Sequence, residues 1–314
     1  MIAHKPNWSC TAELQFGEAR RFSRTGVRQY KQQQMIKGTA LHEILNLPPY
    51  WAKISALPDN GMQVTRHVYG RHPRQYFLCA APPENMQHSS GQAVVFFHGG
   101  AWRFGTPEQF IGYAKFFTGL GYTTFLPSYR RIPAYHFGHL HEDLVGMLAK
   151  IVELTSPQEN EAKLIAGGMS AGGHMAAILA QDPSVWQLAG LNHNPVAALL
   201  ACGAPLDLDQ LSNSPVLLRL AGRRGSPQYH RANPAWHVRQ AETAMPTLCI
   251  HGTTDGLVPV ACAHSFARFA KEKPNDNLTF HLIEGGTHLD AGRWVFREDA
   301  EREQLVRWLQ AAIL

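Results

Sequence analysis

Cysteine is scarce in this sequence of 314 residues, and long apolar runs are missing. The five cysteines are irregularly spaced and form no C-x-x-C pair, which argues against zinc knuckles and dithiol redox motifs. They are Cys10, Cys79, Cys202, Cys249 and Cys262. No stretch reaches the roughly 18 apolar residues that a bilayer span needs, and the first residues lack the apolar core of a secretory signal. We therefore predict a cytoplasmic protein with reduced thiols.

Motifs for nucleotide cofactors and metals are also missing. Neither G-x-G-x-x-G nor G-x-x-x-x-G-K-[ST] occurs, so dinucleotide and P-loop chemistry have no support. His136, His139 and His141 precede two acidic residues and raise the alternative of a metal site. On a helix, however, His136 and His139 share a face whereas His141 points elsewhere, and no H-E-x-x-H pattern is present. We predict that the protein uses neither a metal nor a cofactor.

Acidic residues are outnumbered by basic ones, and the imbalance is strongest near the start. The formal net charge is +5 and the isoelectric point is about 9.0. Residues 19–37 contain six Lys or Arg and no Asp or Glu. Such a run is typical of a solvated helix face, with an anionic partner or a membrane surface as the alternative. Because no nucleic-acid-binding motif accompanies it, we predict no nucleic-acid partner.

From about residue 63 onward, apolar strand patterns alternate with helical patterns, which predicts an α/β fold with a mostly parallel central sheet. Two early strands, at 62–70 and 74–82, are expected to form an antiparallel edge. The segment 93–99 is apolar almost throughout, as in a strand that is buried on both faces. Further strands are predicted at 123–129, 163–170, 196–205, 247–255 and 278–286.

Helical patterns fill the intervals between these strands. Thr106-Pro107-Glu108-Gln109 predicts a helix start, with Thr106 as the N-cap and Gln109 where a capping box requires it. Longer helices are predicted at 139–155 and 171–181. The last helix carries four apolar residues whose spacing predicts that they face a core. They are Leu305, Trp308, Leu309 and Ile313.

Two segments depart from the alternation of strands and helices. Residues 1–60 contain no clear strand, and we predict a helical N-terminal extension there, followed by a catalytic domain at 61–314. Residues 206–240 are predicted to form an insertion over one end of the sheet. Both segments carry apolar clusters that need a surface to pack against. We therefore predict that together they form a lid over the mouth of the active site.

Gly168-Met169-Ser170-Ala171-Gly172 fits the pattern G-x-S-x-G, between a predicted strand and an alanine-rich helix. A turn this tight accepts only small residues beside the serine, and it exposes the hydroxyl at the positive end of a helix. Small-residue turns are common, so the pattern alone is weak. With the strand before it and the helix after it, the pattern predicts that Ser170 is a nucleophile.

A serine hydroxyl needs a base to take its proton, and the base needs an acid to orient it. In this class of fold the acid and the histidine follow the serine along the chain, at the ends of later strands. Asp255 comes just after one predicted strand, and His288 comes after the last. The alternatives are that Asp255 is a turn residue and that His288 is a surface histidine. Their order and positions predict a triad with Ser170.

The stretch "AVVFFHGGAWRFG" runs a buried strand into two glycines and a tryptophan. Acyl transfer needs backbone N–H donors aimed at the oxygen that becomes negative. Such donors come from the residue after the nucleophile and from the loop after an early strand. We predict that Gly100, Ala101 and Ala171 form the oxyanion hole. Trp102 is predicted to wall the substrate pocket, with ordinary packing as the alternative.

These motifs resemble those of α/β-hydrolase serine esterases related to the hormone-sensitive lipases and the arylformamidases. "HGGAW" is similar to their H-G-G-x-W oxyanion motif, and "GMSAGGHMAA" is similar to their G-x-S-A-G-G-H-x-A-A turn. Their Y-R-x-x-P…D segment is matched by Tyr129, Arg130, Pro133 and Asp143. The resemblance runs from about residue 63 to the end, and it implies the α/β-hydrolase fold and an acyl-enzyme mechanism. The sequence departs from the pattern of this family at two positions. Ala101 stands where the lipase-like form has a third glycine, and Arg131 stands where an apolar residue is more usual.

We predict a carboxylic ester hydrolase that forms its acyl-enzyme on Ser170, with His288 as general base and acid and Asp255 as the orienting acid. An arylformamidase acting on an N-formyl aryl amide is the second choice, because of the tryptophan in the oxyanion motif. An acyltransferase and a non-catalytic ligand-binding protein on the same scaffold stay open. The expected partner is a small-molecule ester or amide, and the sequence leaves a homodimer open.

Overall fold

An eight-stranded sheet forms the centre of the chain as described by our computed structural model. The described residues are 38–58, 60–84, 92–155, 163–274 and 277–311. The predictions for the basic run, for most of the N-terminal extension and for Ile313 lie outside these ranges.

The strands and their order define the sheet. In chain order they are β1 (Gln63–Val68), β2 (Tyr76–Ala81), β3 (Gln92–Phe97), β4 (Thr123–Pro127), β5 (Lys163–Met169), β6 (Val196–Cys202), β7 (Thr247–Gly252) and β8 (Leu278–Ile283). Across the sheet the order is β1-β2-β4-β3-β5-β6-β7-β8. β2 is antiparallel to both β1 and β4, whereas the pairings from β4 through to β8 are parallel. The predicted parallel sheet with an antiparallel edge is confirmed.

Helices cover both faces of this sheet. The α-helices are α1 (Ala40–Ser55), α2 (Ile111–Thr118), α3 (Phe137–Thr155), α4 (Ala171–Gln181), α5 (Pro183–Leu188), α6 (Pro215–Ala221), α7 (Pro227–Ala232), α8 (Pro234–Gln240), α9 (Ala261–Lys271) and α10 (Ala300–Ala311). Short 3-10 helices span Pro107–Phe110, Leu208–Gln210 and Leu289–Val295. Within the described ranges, no helix has both the length and the apolar character needed to cross a membrane.

The sheet separates two apolar cores, as β3 illustrates. Successive side chains of a strand point to opposite faces. Val95 and Phe97 accordingly pack in a core with residues of α3 and α4. Val94 and Phe96 pack in the second core, with residues of α1, α2 and α10. Burial on both faces explains why this strand is apolar throughout.

The ends of the helices follow the capping signals. The side-chain oxygen of Gln109 accepts the backbone N–H of Thr106 at 3.1 Å, and the chain then turns through one 3-10 helix before α2 begins. The predicted helix start is therefore present, with a tighter first turn. In α10 the residues predicted to face the core are buried where the structure describes them. They are Leu305, Trp308 and Leu309.

The insertion and the described part of the N-terminal extension are helical. Each of the helices α6, α7 and α8 begins with proline after a residue whose side chain accepts an N–H of the first turn. These capping residues are Ser214, Ser226 and Asn233. α8 packs against α4 and α9, which ties the insertion to the main body of the domain. The lid role of the two segments stays a prediction.

Candidate active site

Ser170 lies in the tight turn between β5 and α4. Its φ is 56° and its ψ is −125°, a conformation that residues other than glycine rarely adopt. A Cβ added at Gly168 would overlap the backbone of Gly172, and one added at Gly172 would overlap the carbonyl oxygen of Phe97. Close packing therefore requires both glycines of the G-x-S-x-G pattern. Backbone strain of this kind costs about 1–3 kcal/mol and clusters at functional sites.

Asp255 and His288 are paired just beyond the ends of β7 and β8. Nδ1 of His288 lies 2.7 Å from Oδ2 of Asp255. The other carboxylate oxygen accepts the backbone N–H groups of Leu257 and Val258, each at 2.8 Å. Nε2 of His251 approaches Oδ2 at 3.3 Å. Both carboxylate oxygens are engaged, so the orientation of the Asp255 side chain is fixed.

The electrostatics of this pair favour an ionised acid and a strong base. Burial by itself raises the pKa of Asp255, but the charge of His288 and the hydrogen bonds from His251 and His288 hold that pKa well below its usual range. For His288, burial lowers the pKa. The charge and hydrogen bond of Asp255, together with the charge of Glu43, outweigh burial and raise it. His288 is therefore strengthened as a proton acceptor.

Ser170, Asp255 and His288 lie at the same edge of the sheet. The last residue of β5 pairs with the last residue of β6, so these strands end level. The backbone N–H of Ser170 donates to the carbonyl oxygen of Cys202, at the end of β6, at 2.8 Å. A Cβ added at Gly203 would lie 3.3 Å from Nδ1 and Cε1 of His288. The three residues thus gather at the carboxyl ends of parallel strands, where ligands bind in α/β sheets.

The loop after β3 passes directly beside the serine. A Cβ added at Gly99 would lie 3.4 Å from the Cβ of Ser170. Gly100 has a φ of 120°, Ala101 of 51° and Trp102 of 58°. In the described ranges, the non-glycine residues with positive φ are Ala101, Trp102 and Ser170. Backbone strain is therefore concentrated at this loop and at the neighbouring serine.

Ala171 directly follows Ser170 and is the first residue of α4. The first N–H groups of a helix have no partner within the helix and are available as donors. The two predicted sources of oxyanion donors, Ala171 and the Gly100–Ala101 backbone, therefore both lie next to the serine. Their assignment to an oxyanion hole stays a prediction.

The side chain of His98 stabilises the loop that follows β3. Its ring stacks on Tyr129, with the ring centroids 4.5 Å apart, and its Nδ1 lies 2.8 Å from the carbonyl oxygen of Gly99. Burial lowers the pKa of His98 to about 4, so the ring is neutral at pH 7 and donates through Nδ1. The guanidinium of Arg131 donates to the carbonyl oxygen of Gly105, at the far end of the loop. Both ends of the loop are therefore held by side chains.

Trp102 is buried, with 5% of its surface exposed, and belongs to the core on the α3 and α4 side. Its indole N–H donates to Nδ1 of His174 at 3.2 Å, and Nε2 of His174 donates to the carbonyl oxygen of Ala232 at 2.7 Å. Burial lowers the pKa of His174 to about 4, which keeps this ring neutral. These contacts favour the packing alternative for Trp102, and its role as a pocket wall stays a prediction.

The histidines at 136, 139 and 141 do not form a single cluster. The rings of His136 and His139 contact each other, with centroids 4.1 Å apart. His141 is buried, and its Nε2 lies 2.9 Å from Oγ of Ser184 and 3.2 Å from a carboxylate oxygen of Asp182. Among the described residues, no group of three or more His, Cys, Asp or Glu side chains could hold a metal ion. His141 instead joins α3 to the start of α5.

Two buried polar residues of α1 lie beside the proposed triad and are not marked by any sequence pattern. Glu43 accepts the backbone N–H of His288 through Oε1 at 2.8 Å. The hydroxyl of Tyr50 contacts that of Tyr113 and lies 3.3 Å from Sδ of Met169, the residue before the serine. No motif marks either residue, because only the fold brings α1 against the ends of β5 and β8.

A family model matches more than half of the chain. It is the BD-FAE model, and the match covers residues 81–269. The chain belongs to the BD-FAE family. The matched range includes Ser170 and Asp255, whereas Glu43 and His288 lie outside it. No curated protein matches the sequence.

Several solved structures similar to this BD-FAE family member are named as esterases. Esterase B from Lactobacillus rhamnosis is 17% identical, with a TM-score of 0.66 over 86% of this chain and 94% of that one. A truncated carbohydrate esterase from gut microbiota is 16% identical, with a TM-score of 0.67 over 82% and 99%. Esterase 2 from Thermogutta terrifontis, phosphonylated by sarin, is 21% identical, with a TM-score of 0.61 over 81% and 94%. Likeness at these identities concerns the fold, and the α/β-hydrolase fold is confirmed.

Proposed function

We propose that the protein is a serine hydrolase that cleaves carboxylic esters of small molecules through an acyl-enzyme on Ser170. The observation that carries this proposal is the 2.7 Å hydrogen bond between Nδ1 of His288 and Asp255, at the sheet edge where Ser170 occupies its strained turn. A neutral imidazole that donates through Nδ1 has Nε2 as its acceptor. Nε2 is the nitrogen with which the histidine of a serine triad takes the hydroxyl proton.

In the first half of the reaction, Nε2 of His288 removes the hydroxyl proton of Ser170 as Oγ bonds to the ester carbonyl carbon. The electron pair of the carbonyl double bond moves to its oxygen, and backbone N–H groups of Gly100, Ala101 and Ala171 donate to this oxyanion. The imidazolium then protonates the leaving alcohol as the C–O bond breaks. In the second half, water attacks the acyl-enzyme in the same way and releases the acid.

Asp255 acts on the reaction through His288. Its low pKa keeps it ionised at neutral pH, so it holds the imidazole in the Nδ1–H tautomer and stabilises the imidazolium that forms. The backbone N–H groups on its other oxygen keep the carboxylate from rotating away. We therefore assign orientation and charge stabilisation to Asp255, and proton transfer to His288.

The esterase names of the similar structures support an ester as the substrate. One of them is phosphonylated by sarin, and an activated serine attacks the phosphorus of an organophosphonate as it attacks an acyl carbon. We expect the same reaction at Ser170. Ester hydrolysis, formamide hydrolysis and acyl transfer all proceed through the same acyl-enzyme. A panel of substrates is therefore needed to distinguish these three reactions.

A fluorophosphonate probe tests the nucleophile, and a substrate panel tests the reaction. We expect one covalent adduct on the peptide that contains Ser170, and none in Ser170→Ala. A series of p-nitrophenyl esters, run beside N-formylkynurenine and with or without an added alcohol, should show ester hydrolysis as the fastest reaction. If the folded protein takes up no probe, the proposal that it is a serine hydrolase is refuted. Faster turnover of the formamide than of the esters would indicate an arylformamidase instead. Product that forms only when the alcohol is present would indicate an acyltransferase.

A further inference from the structure

Glu43 is a fully buried carboxylate in the first turn of α1, with 0% of its surface exposed. An ionised carboxylate is costly to bury unless it is hydrogen-bonded or paired with charge. Its Oε1 accepts the backbone N–H of His288 at 2.8 Å, whereas its Oε2 is buried without a hydrogen-bond partner among the described residues. No lysine or arginine of the described ranges forms an ion pair with it. Its charge acts on His288, whose pKa it helps to raise.

α1 is fastened to each of the segments that carry the proposed triad. A Cβ added at Gly256, next to Asp255, would lie 2.5 Å from the carbonyl oxygen of Gly38, so the two backbones are in close contact just before the helix. Tyr50 lies against the residue that precedes Ser170. The helix also packs along the 3-10 helix that begins after His288. Glu43 is thus held in place by contacts that do not depend on its own charge.

We propose that Glu43 is a positioning residue for His288: it fixes the backbone of the histidine and stabilises the protonated imidazole that forms during turnover. This inference rests on the proposed function. His288 is held from two directions, at its backbone by Glu43 and at Nδ1 by Asp255. With its backbone and its Nδ1 both held, the side-chain torsions of His288 have little freedom, which keeps Nε2 in one direction. The charge of Glu43 also acts to raise the pKa of His288.

The elements around His288 contribute other titratable groups that a pH experiment must consider. The helices α1 and α2 contribute His42, Tyr50 and Tyr113, and the strands β6 and β7 contribute Cys202 and His251. The 3-10 helix after His288 contributes the ion pair of Asp290 with Arg293. Burial raises the pKa of Cys202 to about 12, and it raises the pKa values of both tyrosines beyond the range of a rate profile. The Glu43 variants keep all of these residues, and the titration of the His288 ring itself separates its response from theirs.

The experiment compares Glu43→Gln with Glu43→Ala and uses Glu153→Gln as the matched control. Glutamine keeps an oxygen that can accept the His288 N–H and removes only the charge, whereas alanine removes both. Glu153 is exposed on α3 and pairs with Lys150, so its substitution removes one negative charge far from the site. The readouts are kcat and KM for a p-nitrophenyl ester from pH 5 to 9, and the NMR titration of the His288 ring, whose signal is assigned by its loss in His288→Asn.

In Glu43→Gln we expect the acid limb of kcat/KM and the NMR titration of His288 to move to lower pH by about 1 unit, because the imidazolium loses a nearby negative charge. At pH 8, where the resting imidazole is neutral in both proteins, kcat should fall by up to about tenfold, because the imidazolium that forms during turnover loses the same stabilisation. Glu43→Ala should lose up to about 100-fold in kcat with little change in KM, since the ring is no longer held in one direction. Glu153→Gln should match the wild type throughout.

Superimposable titrations of His288 in the wild type and in Glu43→Gln would overturn the electrostatic part of the inference. An unchanged kcat in folded Glu43→Ala would overturn the positioning part. Should the alanine variant fail to fold, the isosteric glutamine variant still carries the test. If the wild type neither turns over esters nor takes up the fluorophosphonate, the proposed function has failed, and the NMR titration then decides on Glu43 separately.

Discussion

Replacing Asp255 with asparagine exchanges one carboxylate oxygen for an amide nitrogen, and the structure determines which one. The backbone N–H groups of Leu257 and Val258 point at Oδ1 from 2.8 Å. The amide oxygen must face them, because an NH2 group there would oppose two donors. The NH2 group then takes the place of Oδ2 and donates to Nδ1 of His288. The imidazole is forced into the Nε2–H tautomer, which cannot accept the proton of Ser170.

The expected loss is large in rate and small in stability. In serine triads, an asparagine that imposes the wrong tautomer lowers kcat by about 10⁴-fold, which corresponds to about 5 kcal/mol of transition-state stabilisation. The substitution keeps the volume of the side chain and both hydrogen bonds from the backbone. We therefore expect the free energy of unfolding to fall by no more than about 1–3 kcal/mol, the range for one altered buried hydrogen bond.

The assay is the steady-state kcat for a p-nitrophenyl ester, with thermal unfolding of the same samples. Asp182→Asn is the matched control, because Asp182 is a buried carboxylate 3.2 Å from Nε2 of His141 and lies outside the proposed site. It should lose stability and keep kcat. Folded Asp255→Asn that retained kcat to within about tenfold would refute the tautomer argument, since the barrier would then change by only about 1.4 kcal/mol.

Three further predictions follow from the same contacts. Ser170→Ala and His288→Ala should each lower kcat by several orders of magnitude and the double variant by little more, since the two act as one unit; additive losses in kcat would contradict this. Trp102→Phe should lower the free energy of unfolding by about 1–3 kcal/mol, because Nδ1 of His174 loses its donor, and should leave the ranking of ester chain lengths unchanged; a new ranking would favour the pocket wall. The lowered pKa values of His98 and His174, both about 4, predict that stability falls between pH 6.5 and 4, where the unfolded chain binds more protons, by up to roughly 3 kcal/mol for each histidine. The raised pKa of His288 acts in the opposite sense, since its contribution is lost as the pH rises. Chemical denaturation across this range measures the slope, which should become shallower in His174→Asn.

The parts of the site that could be predicted from the sequence are those encoded by neighbouring residues. The turn at Ser170 needs a glycine two residues before and two residues after it, because any side chain there would meet backbone atoms. The strands could be predicted because apolar runs and turn residues alternate along the chain. The positions of Asp255 and His288 followed from the rule that parallel strands end at one edge.

The contacts that escaped prediction join residues far apart in the chain. Trp102 and His174 each belong to a sequence motif, but neither motif predicts their hydrogen bond, which exists because α4 lies against the loop after β3. Glu43 occupies an amphipathic helix in which a glutamate is ordinarily exposed. Its burial depends on where α1 docks, and no local pattern reports a docking position. The role of Trp102 stayed open for the same reason.

The bond between Glu43 and His288 spans 245 residues, and this separation bears on how a newly made chain becomes active. At about 5–20 residues per second, α1 leaves the ribosome roughly 10–50 s before the histidine does. Meanwhile Tyr50 of this helix can already contact Tyr113 and Met169, whereas Glu43 still lacks His288. Contacts between such distant residues form late because a long loop must close first. A growing chain that has already folded the turn at Ser170 would therefore hold a nucleophile without its base. Catalysis by the proposed triad would begin only after β8 has joined the sheet.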